Sequence, residues 1–191
     1  MESYSATGRE ARGYQRPNTK SYKRGAMTMV FQSVYEEILV AQGFDAMIQD
    51  HKNKLSQVLA ERFQMSFWEV TPSFILSHHK KLKIQVMDEA CVNAITKGFT
   101  SANGHRYRLN DDDQINFLGQ KDRLRDKPEI DKVAWRTEDA GYVEHSREEW
   151  LVVQGEAFDH KLAQLLKYNE YCTKILNATT DKEVFNTNWI Y

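Results

Sequence analysis

The stretch TPSFILSHHKKLKIQVMDEACVNAITKG, residues 71–98, decides the fold of this 191-residue chain. Thr71 can cap a helix, Pro72 is tolerated at the first helical position, and Gly98 is a typical C-terminal stop. Apolar residues recur between them at helical spacing: Ile84, Met87, Cys91, Ala94 and Ile95. Charged residues fall mainly on other faces: Lys80, Lys81, Lys83, Asp88 and Glu89. The stretch therefore predicts a core helix with one solvated side.

Two β-hairpins are predicted after this helix. Residues 99–101 and 105–109 flank Asn103-Gly104, the dipeptide that most favours a tight hairpin turn. Residues 133–136 and 142–145 make a second pair of strand-like runs around a short polar turn. Small antiparallel strands are therefore expected beside the helices.

The segment between the hairpins is predicted to begin as a helix and continue as a loop. The carboxylates of Asp111 to Asp113 can cap a short helix over residues 114–119 and favour its positive end. Residues 120–130 are charged and contain Pro128, so they are expected to form a surface loop.

Two capping boxes open the C-terminal helices. Ser146 with Glu149 predicts a long helix, with Gly155 as a candidate break, and Thr180 with Glu183 predicts one last helical turn. Along the long helix these residues continue at helical spacing: Phe158, Leu162, Leu165, Asn169, Cys172 and Leu176. The fold class expected from these elements is α+β and mostly helical.

The chain before residue 71 divides into two further parts. Residues 27–70 are predicted to be a helical connector, with apolar spacing over 29–43 and again over 45–63. These helices can pack on the domain behind them, residues 71–191, or on copies of themselves as a coiled coil. Residues 1–26 contain several Gly, Ser and Thr and almost no aliphatic side chains, which predicts an extended arm.

The arm is basic and is the candidate partner-binding segment. Its basic and aromatic residues are interleaved: Arg9, Arg12, Tyr14, Arg16, Lys20, Tyr22, Lys23 and Arg24. Such a segment cannot bury enough apolar surface to offset its conformational entropy. Three interpretations fit this composition: a solvated tail, docking to another protein, and binding of single-stranded nucleic acid through phosphate charge and base stacking.

The residue patterns do not predict catalysis, a metal site or a cofactor. The run at 111–113 lacks the alternating ligands, central glycine and bidentate Glu of a calcium loop. Adjacent His78 and His79 point to different sides of a helix, whereas a zinc-binding helix spaces its histidines four apart. Cys91 and Cys172 fall on apolar faces, where a reduced cysteine packs as a small hydrophobe. Since the sequence also lacks a phosphate loop and a nucleophile elbow, we expect a protein that is not an enzyme.

The overall composition is that of an ordinary folded protein. Lys and Arg total 26 against 27 Asp and Glu, so the chain offers no general attraction to nucleic acid or to an anionic membrane. No stretch approaches 18 uncharged apolar residues, and the N-terminus lacks the apolar core of a signal peptide. We expect a protein that is made in a cytosol-like environment and does not enter a membrane.

Short sequence words in residues 80–191 occur in an order that resembles a domain of unknown function of tailed-bacteriophage tail and tail-fibre proteins. The clearest words are ITKGFTS at 95–101, DQINF at 113–117, VAWR at 133–136 and ILNATTDKEV at 175–184. The resemblance covers a little over half of the chain. It implies a compact α+β domain in the order helix, hairpin, strand pair and long helix, without established enzymatic activity and without functional residues to transfer.

The resemblance implies a structural virion protein that is synthesised in the host cytoplasm and kept in the tail. Its partners would be other tail, baseplate or fibre proteins, and it would occur in several copies within a symmetric assembly. No fibre repeat or adhesin is recognisable at the N-terminus, which favours a connector or attachment role. Two alternatives stay open: a tail-fibre assembly chaperone absent from the mature particle, and a phage nucleic-acid-binding protein that uses the arm.

Overall fold

A computed structural model gives the structure, which describes residues 49–190. The arm and the helix predicted over 29–43 lie outside the described residues. The helices are α1 (Gln49–Phe63), α2 (Pro72–Thr96), α3 (Asp111–Asp126), α4 (Arg147–Asn177) and α5 (Asp181–Asn186), with a 3-10 turn at Phe67–Glu69. The strands are β1 (Phe99–Thr100), β2 (Arg106–Tyr107), β3 (Lys132–Thr137) and β4 (Gly141–Ser146). The predicted class, α+β and mostly helical, is confirmed.

Side-chain caps set the starts of the helices where the sequence placed them. Thr71 accepts a hydrogen bond from the backbone N–H of Phe74 at 3.2 Å. The capping boxes at Ser146 and Thr180 are both complete, with their glutamates bonded back to the cap residues. Caps of this kind stabilise a helix by about 1 kcal/mol each. The starts of α2, α4 and α5 are therefore confirmed.

Helix α3 is longer than predicted. Residues 120–126, expected in a surface loop, continue the helix, and it ends next to Pro128. Phe117 and Leu124 lie two turns apart on one face and are both buried, so packing holds the second half of α3 in place. Asn110 is the N-cap, and Asp113 completes its capping box.

The first hairpin forms around Asn103-Gly104, as predicted. Phe99 pairs with Tyr107 and Thr100 with Arg106. The N–H of Gly104 donates to the Ser101 carbonyl oxygen, and the N–H of Ser101 donates to the His105 carbonyl oxygen, each at 2.9 Å. With Gly104 at φ +87°, this is a three-residue loop that ends on a left-handed glycine. The second hairpin pairs β3 with β4 as predicted.

The core lies where α2 packs along α4, with the hairpins, α3 and α5 closing its ends. Met87, Cys91 and Ile95 of the predicted face are buried, and Ile84 and Ala94 are half-buried. Lys83, expected on a charged face, is instead buried against the C-terminal segment, where its Nζ donates to Asn188 Oδ1 at 3.0 Å.

Helix α4 passes through Gly155 without a break. Its buried residues are Trp150, Val153, Ala157 and Ile175. A separate small core joins α1 to the start of α2 through Leu59, Ala60, Val70 and Ile75. The long helix therefore uses one face for packing and leaves another open.

Candidate protein-binding site

The histidine and carboxylate pairs of the described region join structural elements to one another. His79 on α2 lies 2.6 Å from Asp181 on α5, and His105 beside β2 lies 2.8 Å from Asp139 in the second hairpin turn. Asp139 also accepts a hydrogen bond from the Arg106 N–H at 2.8 Å. These bonds from Arg106 and His105 lower the pKa of the Asp139 carboxyl to about 2. Both pairs therefore have a clear structural use.

The buried ionisable groups are enclosed and hydrogen-bonded. Burial lowers the pKa of Lys83, whose ammonium also donates to the Phe185 carbonyl oxygen at 3.4 Å. Burial raises the pKa of Tyr107 and lowers that of His145, and these two side chains meet at 3.3 Å. A reacting group needs an open approach as well as a shifted pKa, and these side chains are closed off by the core.

The cysteines are thiols that lie at or near the core. Burial and the neighbouring Asp88 raise the pKa of Cys91, which works against the reactive thiolate form. Cys172 is half-buried, and its hydrogen bond with Tyr168 helps raise the pKa of that phenol to about 12. Within residues 49–190 there is no group of three or more side chains that could hold a metal ion. No helix of the same described region is long and apolar enough to cross a membrane.

Among the described residues, a line of exposed apolar side chains runs along α4 and is here named the α4 stripe. It comprises Leu151, Gly155, Phe158, Leu162, Leu165, Asn169, Cys172 and Leu176. Its leucines and Phe158 are between 37% and 62% exposed. The sequence assigned Cys172 to a core face, but the series that contains it lies mainly on the solvent side of the helix. Its spacing was visible in the sequence, and its exposure was not.

Helix α3 extends the apolar surface beside the stripe. Leu118, which is 61% exposed, lies with Phe158 in a shallow pocket of about 150 Å³ between α3 and α4. Phe117, Ala157 and Lys161 also line this pocket. Contiguous apolar surface of this kind marks interaction sites in soluble proteins. The arrangement can accept an apolar side chain from a partner.

A second, polar cleft of about 590 Å³ lies between α3 and the second hairpin. Arg108, Arg123 and Arg136 line it, together with the aromatic rings of Trp135 and Tyr142. Asp113 pairs with Arg108 at 2.8 Å, so the lining has three guanidinium groups against one carboxylate. Such a cleft favours an anionic group of a partner. The arginines come from separate parts of the chain, so no local sequence pattern indicates that they lie together.

The eight arm residues proposed for partner binding, from Arg9 to Arg24, lie outside the described residues. Within residues 49–190 the structure presents a different candidate site, which is formed by the α4 stripe and by Leu118 on α3. Trp150 and Val153 hold the opposite side of α4 in the core, so the stripe is presented on a rigid element.

The fold and these surfaces define a mostly helical α+β protein that exposes an apolar helix stripe and a basic cleft. Residues 78–189 match the sequence model of the family described as a domain of unknown function, DUF4376. Because the match spans more than half of the chain, the chain belongs to this family. No curated protein and no solved structure matches the chain. The matched region begins at His78 on α2 and ends at Trp189, which packs against the core.

Proposed function

We propose that this chain is a structural virion protein of a tailed bacteriophage, a connector or attachment protein of the tail, baseplate or tail fibre. It acts by protein–protein assembly, without catalysis and without a cofactor. The observation that carries the proposal is the α4 stripe. An apolar stripe of this length on a rigid helix fits a surface that another protein covers.

The absence of an open reaction centre in the described region supports assembly over catalysis. The carboxylates of Asp139 and Asp181 are bonded to histidines, and Lys83 and Cys91 are buried. These groups fix one element to another and leave none poised in a pocket with a substrate-sized opening. Of the two clefts beside α3, one is lined by guanidinium groups and aromatic rings and the other mainly by apolar side chains. These groups suit the binding of a partner, and neither lining offers a pair of a general acid and a general base.

The tailed-phage part of the proposal depends on the sequence words in residues 80–191. The structure gives several of these words a local role. In ILNATTDKEV, Ile175 and Val184 are buried, Thr180 and Glu183 form a capping box, and Asp181 bonds to His79. The words therefore describe a fold, and the place of that fold in a phage tail is proposed from the resemblance.

The basic arm is proposed to anchor the protein to its neighbours in the tail. Its charge suits docking to an acidic groove of another protein. Copies of the chain then take equivalent positions around the tail, because symmetric assemblies reuse one interface. A tail-fibre assembly chaperone would have the same surfaces, but it would leave before the particle matures.

Mass spectrometry of purified particles of the encoding phage tests the proposal. The full chain should be found in fixed stoichiometry to the tail proteins, whereas a chaperone would be missing. A variant without residues 1–26 should give the circular dichroism of the full domain and yet fail to enter the particle. Absence of the full chain would refute the virion role, and normal entry of the truncated chain would refute the anchoring role of the arm.

Oligonucleotide binding separates the remaining alternative. A phosphate-binding arm should give an affinity for single-stranded DNA that falls steeply with salt and is lost without residues 1–26. Docking to protein should leave oligonucleotides unbound at all salt concentrations.

A further inference from the structure

The α4 stripe has the spacing of a coiled-coil seam. From Leu151 to Leu176 its residues are separated by four and three positions in strict alternation. The heptad a positions are Gly155, Leu162, Asn169 and Leu176, and the d positions are Leu151, Phe158, Leu165 and Cys172. The stripe spans roughly 3.7 heptads, which reaches the length at which heptad spacing is a meaningful signal. At 1.5 Å per residue it is about 37 Å long.

The described part of the chain leaves this seam open. Phe158, Leu165 and Leu176 are exposed, and no seam position holds a charged residue. Charged residues occur beside it, at Asp159 and Lys161. A solvated helix face would carry such charges along its centre, whereas this face keeps them at its edges. The pattern is that of a helix prepared to pack against another helix.

We infer that the α4 stripe is the seam of a parallel, in-register coiled coil between two copies of this chain. The polar residue in the seam identifies the partner. Asn169 is at an a position, and in a parallel homodimer each a residue faces its own copy, so the two amides can hydrogen-bond to each other. A partner helix with an apolar residue at that level would leave the Asn169 amide buried without a hydrogen bond, which costs free energy.

The same residue selects the parallel orientation. In an antiparallel pair centred on the stripe, a positions face d positions, so Asn169 would lie opposite Phe158 of the partner and Cys172 opposite Gly155. An amide against an aromatic ring loses its hydrogen bonds. In the parallel pair Asn169 faces Asn169, and Phe158 faces Phe158. Gly155 also faces its own copy, where its small size lets the helices approach.

The surroundings of α4 favour two strands. The g positions that flank the seam are Gln154, Lys161, Tyr168 and Ile175, and they are half-buried or buried against the rest of the domain. The e positions on the other side are Val152, Asp159, Leu166 and Thr173, and they are exposed. Helices in bundles of three or more strands use both flanks for contact. Since the domain already occupies the g side, one partner helix fits the free surface.

The dimer seam names one interaction surface of the proposed assembly protein. Its biological use rests on the proposed function, but the formation of the dimer does not. Dimerisation is a property of the isolated full chain in solution, whereas the virion role is measured in purified particles. A monomeric chain that still enters particles would refute the seam alone. A dimer that is missing from particles would refute the virion role alone.

Sedimentation velocity of the full chain tests the association. We expect a dimer at twice the chain mass of 22.3 kDa at micromolar concentration. The double variant Leu162→Lys with Leu165→Lys should sediment as a monomer while keeping the helical circular dichroism, because both side chains are 43% exposed in the single domain. Val92→Lys is the matched control, since Val92 is 50% exposed on α2 and outside the seam. It should remain a dimer.

Disulfide trapping tests the orientation. In a Cys172→Ser background, Leu176→Cys should form a disulfide-linked dimer under mild oxidation, because residue 176 faces its own copy in the parallel pair. In an antiparallel pair the two residues would lie at opposite ends of the seam. Ala163→Cys, at an outward position of the same helix, is the control and should remain unlinked.

Three results would overturn the inference. The first is a monomeric wild-type chain at all concentrations, and the second is a dimer that the Leu162 and Leu165 double variant leaves intact. If the wild-type chain is monomeric and the double substitution also lowers its stability, residues 1–48 of the same chain cover the stripe in place of a second copy. The third is a dimer in which Leu176→Cys does not cross-link, which would refute the parallel register.

Discussion

The Nδ1 atom of His79 lies 2.6 Å from Oδ1 of Asp181, so a buried side chain of α2 is bonded to the first residue of α5, 102 positions along the chain. His79 is 1% exposed and Asp181 is 17% exposed. The same two helices bury Val184 and Phe185 against Leu82 and Met87. The pair therefore fixes the last helix of the chain to the first helix of the main core.

Asp181→Ala should lower the free energy of unfolding by about 1–3 kcal/mol, because a buried histidine nitrogen loses its hydrogen-bond partner. Urea denaturation followed by circular dichroism measures the change. Lys182→Ala is the matched control, since Lys182 is exposed in the same helical turn and should change the stability by less than about 0.5 kcal/mol. Equal effects of the two substitutions would mean that the His79 contact contributes nothing.

Arg147, the first residue of α4, holds the end of α3. Its guanidinium donates to the carbonyl oxygens of Leu124 at 2.8 Å and Ile130 at 3.1 Å. A lysine at this position has one compact ammonium group and cannot reproduce both bonds. We expect Arg147→Lys to cost about 1–2 kcal/mol and to increase hydrogen exchange at the end of α3. Arg136→Lys on the exposed face of β3 is the control. If it increases hydrogen exchange at the end of α3 by the same amount, the hydrogen bonds of Arg147 do not hold that end in place.

The sequence predicted those features of the fold that depend on neighbouring residues. A capping box such as Ser146 with Glu149 is formed within one helical turn, so its residues alone indicate where α4 begins. The glycine stop at Gly98 and the two hairpins are local in the same sense. These features were predictable because the interactions that stabilise them connect residues only a few positions apart.

Other features depend on contacts between distant parts of the chain. The second half of α3 was expected to be a loop because its residues are charged, but burial of Leu124 beside Trp150 holds it helical. Lys83 was expected in solvent, and it is buried because Asn188 and the Phe185 carbonyl satisfy its ammonium. No local pattern indicates these partners, since they lie more than a hundred positions away.

In the candidate site, too, one feature depends on neighbouring residues and another on contacts between distant parts of the chain. The three- and four-residue spacing of the α4 stripe was visible in the sequence. However, α4 carries apolar residues on more than one face, and Trp150, Val153 and Ala157 offer a competing series. Only the packing of α2 along α4 decides which series is buried and which stays exposed.

Gly98 and Gly104 both have positive φ, and a comparison of their alanine variants separates the cost of backbone strain from the cost of steric overlap. Gly98 has φ +81°, and a Cβ atom there would overlap the carbonyl oxygen of Tyr107 in the adjacent strand. Gly104 has φ +87°, but open space surrounds it. We expect Gly104→Ala to cost about 1 kcal/mol from the backbone conformation alone, and Gly98→Ala to cost about 3 kcal/mol or more. Equal losses in urea denaturation would show that the hairpin shifts to accommodate the methyl group.

Stability should fall in weak acid because of His145. Burial and the nearby His105 lower the pKa of His145 below its ordinary value of 6.5, so between that value and the lowered pKa the unfolded chain binds more protons than the folded one. Its contribution is therefore present above about pH 6.5 and is lost as the pH falls through the lowered pKa.

His145→Gln tests this titration in urea denaturation at about pH 8 and about pH 5. At the higher pH, where the histidine is neutral in both states, any difference from wild type reports the lost contact with Tyr107. On going to the lower pH the variant should lose less stability than the wild type, because it has no imidazole to protonate at this position. If both proteins lose the same amount, protonation of His145 is not coupled to unfolding.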